Sequence, residues 1–181
     1  MANINGITMK TFTTYRGHEG ESLAQATIYA GTKKLGFWSQ DSWGGGDNYD
    51  GKEMYETIKT ASTKFKGGIP TTAKYYDVLG DADCFMDVLL RLCEDEKEYK
   101  KNVKSGYDRL MVITDGYNYI KFGCRGVNSV EEFEKKWADT VATAKKQMYK
   151  NETIKTYMFT SFDDFNITVD ESHPAKEWMY K

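Results

Sequence analysis

Proline and histidine are almost missing from this chain, two of each in 181 residues, and cysteine occurs only three times. His18 and His173 alone, with no obvious nucleophile, make a poor hydrolase. Cys84, Cys93 and Cys124 are odd in number and include no C-x-x-C pair, so no disulfide framework or thiolate zinc knuckle is encoded. On one helix, the nine steps from Cys84 to Cys93, roughly 100° each, would set the two thiols on opposite faces. No run of about 18 apolar residues occurs, which excludes a membrane-spanning helix. Met1-Ala2-Asn3-Ile4-Asn5-Gly6 has neither the basic start nor the apolar core of a secretion signal. These readings predict a cytoplasmic protein with reduced thiols. A dominant charge is missing too: 25 Lys and Arg face 27 Asp and Glu, for a net charge of −2. Tight nonspecific nucleic-acid binding needs a basic stripe that displaces counterions, so direct binding of that kind is not expected.

Aromatic residues, by contrast, are plentiful at 14%, including 13 Tyr and 9 Phe. They serve sheet packing and amphipathic contact surfaces alike. A chain of this length is predicted to form a single domain over residues 1–181, with a core that needs no metal or disulfide.

Hydrophobic periodicity supplies the element order. Ile7 to Tyr15 alternates as a strand. Leu23 to Ala30 and Lys33 to Ser39 flank Gly31-Thr32 as a hairpin. Asp50-Gly51-Lys52-Glu53 has the form of a helix N-cap, and Tyr55, Ile58, Ser62 and Phe65 mark that helix's inner face. Gly67-Gly68-Ile69-Pro70 stops it. Thr71 to Gly80 reads either as a short helix or as an extended connection. A long helix starts near Asp81, with Phe85, Leu89, Leu92 and Tyr99 inward, and ends at Gly106. Strands Tyr107 to Thr114 and Tyr117 to Cys124 surround Asp115-Gly116, a strong hairpin signal. Ser129-Val130-Glu131-Glu132 opens a third helix, whose stripe is Val130, Phe133, Trp137, Val141, Ala144 and Met148. Ile154 to Thr160 is the last strand, followed by a polar, acidic tail. The order βββ-α-α-ββ-α-β, dominated by hairpins, predicts an α+β fold: antiparallel sheet with about three helices on one face.

The most distinctive stretch is Leu35 to Gly51, which joins Trp38, Trp43 and Tyr49 to Asp41, Asp47, Asp50 and the triple glycine Gly44-Gly45-Gly46. It reads as a recognition loop with aromatic hot spots and acids to oppose a basic partner. Trp38 fits equally well as a sheet residue packed beneath a helix. Asp41, Asp47 and Asp50 resemble calcium ligands in type, but an EF-hand register would put Gly46 and Thr57 at ligand positions, which fails. The glycines match neither phosphate-loop pattern. A second reading is a metal- or nucleotide-binding protein, or a small enzyme, using His18, Glu19 and the Asp41–Asp50 loop. No G-x-S-x-G motif or other nucleophile signature accompanies them, so no catalytic residue is assigned. Both longer helices run from acid to base: Asp81 to Glu98 precedes Lys100, Lys101 and Lys104, and Glu131 to Glu134 precedes Lys145, Lys146 and Lys150. That order suits the helix dipole, and an acidic strip can also imitate nucleic-acid phosphates.

The run from Thr11-Phe12-Thr13 through Gly17-His18-Glu19-Gly20 and Lys33-Lys34-Leu35-Gly36-Phe37 to Asp41-Ser42-Trp43-Gly44-Gly45 resembles small accessory proteins of phages and mobile elements. Among these it is similar to the type II-A anti-CRISPR proteins, over about the first third of the chain. The resemblance implies an inhibitor that binds a type II CRISPR effector nuclease with its guide RNA, by protein–protein contact in the host cytoplasm and without a cofactor.

Overall fold

The computed structural model describes residues 1–73, 76–149 and 154–180. Its fold is α+β, with four α-helices and two mostly antiparallel sheets. The chain divides into two compact units, one of residues 1–93 and 166–180, the other of residues 94–165.

The first unit is a six-stranded sheet in the order β5-β4-β3-β2-β1-β9. Its strands are β1 (Asn3–Ile4), β2 (Ile7–Arg16), β3 (Ser22–Ala30), β4 (Lys33–Ser39), β5 (Asn48–Tyr49) and β9 (Asn166–Ile167). All neighbours are antiparallel except β1 and β9. The β3–β4 hairpin through Gly31-Thr32 forms where the sequence places it. A shorter hairpin precedes it, in which Asn5 and Gly6 take φ of 52° and 83°, the geometry an Asn-Gly turn favours. Within β2 the register slips between Lys10 and Thr13, with Thr11 at φ 50°. A bulge therefore separates the buried start of β2 from its exposed end.

Alternation places Ala24, Ala26, Ile28 and Trp38 on one face of this sheet, all buried. The helices α1 (Lys52–Gly67) and α2 (Ala82–Lys104) add Met54, Ile58, Phe65, Phe85, Leu89 and Leu92 to the core. Phe65 and Phe85 meet edge to face, with ring centroids 5.8 Å apart. Two expectations fail at the start of α1. The cap is Gly51, at φ 85°, and no side chain caps the helix. The Asp50 backbone N–H instead donates to Phe37 O (3.0 Å), and Glu53 pairs with Lys33. Demand from the sheet thus takes Asp50 away from the helix. Tyr55, expected inward, is exposed, and Met54 is buried in its place. Between Thr71 and Gly80 the described residues form turns, neither helix nor strand, and Lys74 and Tyr75 lie outside the described residues.

The polar tail expected after Thr160 is a structured segment. It has 3-10 turns at Phe162–Phe165 and Glu177–Met179, and it buries Phe165, Val169, Trp178 and Met179. In the first unit Asn5 anchors it: Asn5 Nδ2 donates to Val169 O (2.9 Å), and Val169 N–H donates to Asn5 Oδ1 (2.8 Å).

The second unit has a three-stranded sheet, β7-β6-β8. Its strands are β6 (Arg109–Thr114), β7 (Tyr119–Cys124) and β8 (Lys155–Phe159). From Leu110 to Thr114 every β6 side chain is buried, so both faces are covered. One face carries Met111 and Ile113, packed with Phe133, Val141 and Ala144 of α3 (Val130–Lys136) and α4 (Ala138–Lys146). The other carries Tyr157 and Lys121, which reach the buried Asp95 of α2 at 3.1 and 2.7 Å. The helices of this unit thus cover both faces of its sheet, where sequence reading placed them on one. The single helix expected from Ser129 onward is broken at Trp137, whose φ and ψ are −122° and 43°. No proline or glycine marks that break. Ser129 caps as expected, accepting the Glu132 N–H at 3.1 Å. Lys150, named with that helix's basic end, lies outside the described residues.

Candidate functional site

The loop from Gln40 to Asp47 leaves β4 and returns as β5, and its shape follows from hydrogen bonds to α2 and β3. Gln40 is fixed from four directions. Its N–H donates to Ala24 O (3.0 Å), and its Oε1 accepts the Ala24 N–H (2.8 Å). Its Nε2 donates to Asp87 Oδ1 (3.0 Å), and its carbonyl accepts the Tyr15 hydroxyl. At the far end, Asp83 Oδ2 accepts the Asp47 N–H (3.1 Å) and Asp83 Oδ1 accepts the Tyr49 hydroxyl (2.6 Å). Within the loop Asp41 Oδ2 accepts the Gly45 N–H at 2.8 Å. A side chain on Gly45 would collide with that carboxylate, its Cβ lying 2.7 Å from Oδ2, which is why a glycine fits there.

This scaffold sorts the residues singled out from sequence. Trp38 is fully buried, its Nε1–H donating to Asp47 Oδ2 at 2.8 Å. It presents no surface of its own and props the loop from below. Tyr49 is half-buried and edge-on to Tyr55 at 5.3 Å. Trp43 is 76% exposed, and one face of its indole stacks on His18 with centroids 4.0 Å apart and planes 26° from parallel. Asp41 and Asp47 are half-buried and Asp50 is exposed. Glu19, beside His18, gives its backbone N–H to Glu21 Oε2 (2.9 Å). Among the described residues no group of three His, Cys, Asp or Glu side chains is placed to hold a metal ion. The three loop aspartates do not converge: Asp41 faces Gly45, Asp47 faces Trp38, and Asp50 lies beside Gly36.

The electrostatics come from crowded acids. Burial pushes the Asp47 carboxyl up to about 7; the Trp38 hydrogen bond opposes this, and the charges of Asp83 and Asp87 reinforce it. Burial likewise raises Asp87, against the pull of Arg91 and Gln40. Tyr49 is held protonated by burial and by its bond to Asp83. Sequence reading missed Asp83, Asp87, Gln40 and Tyr15 as parts of the site. The i, i+4 spacing of Asp83 and Asp87 was a usable signal, because it sets both carboxylates on one helix face. Nothing in the spacing of Gln40 or Tyr15 marks their role.

The second unit has surface features of its own. Asp115 is buried and accepts N–H donors from Tyr117 (2.9 Å), Asn118 (2.7 Å) and Tyr149 (2.6 Å). It thereby fixes two exposed tyrosines, Tyr117 and Tyr149. A groove of about 370 Å³ lies between β7 and α4, lined by Ile120, Phe122, Thr140, Thr143, Ala144 and others.

The first unit thus carries an exposed indole stacked on an imidazole, beside a glycine-rich loop braced by hydrogen bonds. Comparison with family models, with curated proteins and with solved structures gave no match. Among the described residues no helix is long and apolar enough to cross a membrane.

Proposed function

We propose that the chain is an inhibitor that works by protein–protein contact, and that its target is a type II CRISPR effector nuclease carrying its guide RNA. The observation that supports this reading best is Trp43. A large aromatic held 76% exposed by a stack and a braced loop has the character of an interface anchor. Around it the loop supplies Asp41, and the turn beneath it supplies Glu19 and Glu21. Acids flanking an aromatic anchor match a basic nucleic-acid channel, where complementary potential speeds and orients docking. The target's identity comes from the resemblance, whose residues include His18, Glu19, Asp41 and Trp43. Tyr49, Asp47 and Trp38 act from behind, by holding the loop in place.

Size-exclusion chromatography with a type II nuclease, with and without guide RNA, followed by a DNA-cleavage assay, tests the proposal. Co-elution with loss of cleavage is expected for the wild-type chain, and weaker inhibition for Trp43→Ala. An active nuclease that neither co-elutes nor loses activity refutes the inhibitor reading.

A further inference from the structure

The geometry of the exposed indole narrows what can sit on it. One face of Trp43 is closed by His18 at 4.0 Å, and the high exposure of the ring leaves the other face open. Aromatic rings carry negative potential on their faces and attract cations placed over them, tryptophan most strongly. The chain segments that hold the pair add anionic side chains. Asp41 lies two residues before Trp43, and Glu19 and Glu21 follow His18, against Arg16 alone at the start of the same turn. Asp41 uses Oδ2 for the Gly45 N–H, which fixes the carboxylate and leaves lone pairs for a second partner.

We infer that the open face of Trp43 is a seat for an arginine side chain on a basic protein partner, an assignment that rests on the docking role proposed above. Arginine fits better than lysine for two reasons. Its guanidinium is planar and stacks on an indole, and its fork of N–H donors engages a carboxylate in two parallel bonds. An ammonium offers a compact, strongly hydrated charge that does neither. His18 behind the ring holds the indole in one orientation, so less side-chain freedom is lost when the seat is filled. A nucleic-acid base also stacks on exposed aromatics, but its backbone phosphates would meet Asp41, Glu19 and Glu21 with like charge.

The test uses the full chain and three probes at low salt: a peptide of alternating glycine and arginine, its lysine counterpart, and oligothymidylate. Binding is followed by isothermal titration calorimetry for every variant, and in the wild type also by the NMR resonance of the Trp43 indole N–H, assigned by its loss in Trp43→Ala. Stacking of the expected strength makes the arginine peptide bind about two- to fivefold tighter than the lysine peptide, an advantage that Trp43→Ala removes. Trp43→Tyr retains part of the advantage, and Asp41→Asn reduces it. Because Trp43 is exposed, the alanine variant keeps the wild-type circular dichroism and urea midpoint, which checks that the fold is intact. Equal binding of the two peptides, unchanged arginine selectivity in Trp43→Ala, or a Trp43 response to oligothymidylate alone overturns the seat. Nuclease co-elution run in parallel separates the two readings. Arginine selectivity without co-elution leaves the seat standing and removes the nuclease, whereas co-elution that ignores Trp43→Ala does the reverse.

Discussion

Replacing Asp47 with asparagine probes how the loop from Gln40 to Tyr49 is held. In the folded chain burial pushes the Asp47 carboxyl up to about 7, while an unfolded aspartate titrates near 4. The folded state therefore binds this proton more tightly than the unfolded state does. Between about pH 4 and pH 7 the folded chain holds a proton that the unfolded chain has lost, so stability falls as pH rises and levels off above 7. Three pKa units correspond to about 4 kcal/mol, at about 1.4 kcal/mol each. Asp47 is only half-buried, and solvent screening reduces the expected effect to about 1–2 kcal/mol. Asparagine keeps an oxygen to accept the Trp38 N–H and removes the charge. Wild-type protein should thus lose about 1–2 kcal/mol more than Asp47→Asn between pH 4 and pH 8. Asp87 is raised in the same direction, so Asp47→Asn retains a smaller slope that Asp87→Asn should flatten further. Urea denaturation at several pH values reads the free energies, and the Trp38 indole N–H resonance reports the titration locally. Identical pH slopes for wild type and Asp47→Asn over that range would refute the reasoning.

Other expectations follow from single contacts. A methyl group on Gly68 would lie 2.5 Å from Val169 Cγ1 and 2.8 Å from Asp170 O, so Gly68→Ala should cost ~1–3 kcal/mol. Limited proteolysis should then cut within residues 169–179; resistance equal to wild type would contradict the crowding. Asp115→Ala leaves three backbone N–H groups without their carboxylate and should destabilise by ~2–4 kcal/mol, with faster amide exchange at Tyr149. Ser129→Ala removes the α3 cap at a cost of ~1 kcal/mol, visible as a lower thermal midpoint that Ser129→Asp restores. Phe65→Ala opens the core at the Phe65–Phe85 contact and should cost ~3–5 kcal/mol in a urea melt.

What the sequence made legible was whatever local periodicity encodes. The β3–β4 hairpin, the stripe of α2 and the Ser129 cap need only neighbours in the chain, and each lies where spacing puts it. Two of the failures share a cause, a partner far along the chain. Asp50 has the chemistry of an N-cap, but Phe37 thirteen residues earlier takes its backbone. The segment after Thr160 looks polar because acids, Lys and Ser are interspersed among its apolar residues, yet Val169 is held by Asn5. Trp137 breaks a helix by backbone rotation, without the residues that usually announce one. At the site, the loop's aromatic and acidic content was plain, as was the possibility of Trp38 lying within the sheet. Its supports were not, because Asp83 and Asp87 are more than thirty residues downstream and read first as helix-dipole acids.

The parallel pairing of β1 with β9 has a consequence for how the protein is made. Residues Asn3 and Ile4 are synthesised long before Asn166 and Ile167, and wait for them before that side of their sheet is occupied. The segment from Glu94 to Phe165 is contiguous and can begin to organise while the chain is still being translated. The earlier residues must remain open through that interval, short of the Val169, Trp178 and Met179 side chains that complete their interior. Synthesis and closure therefore run in opposite orders.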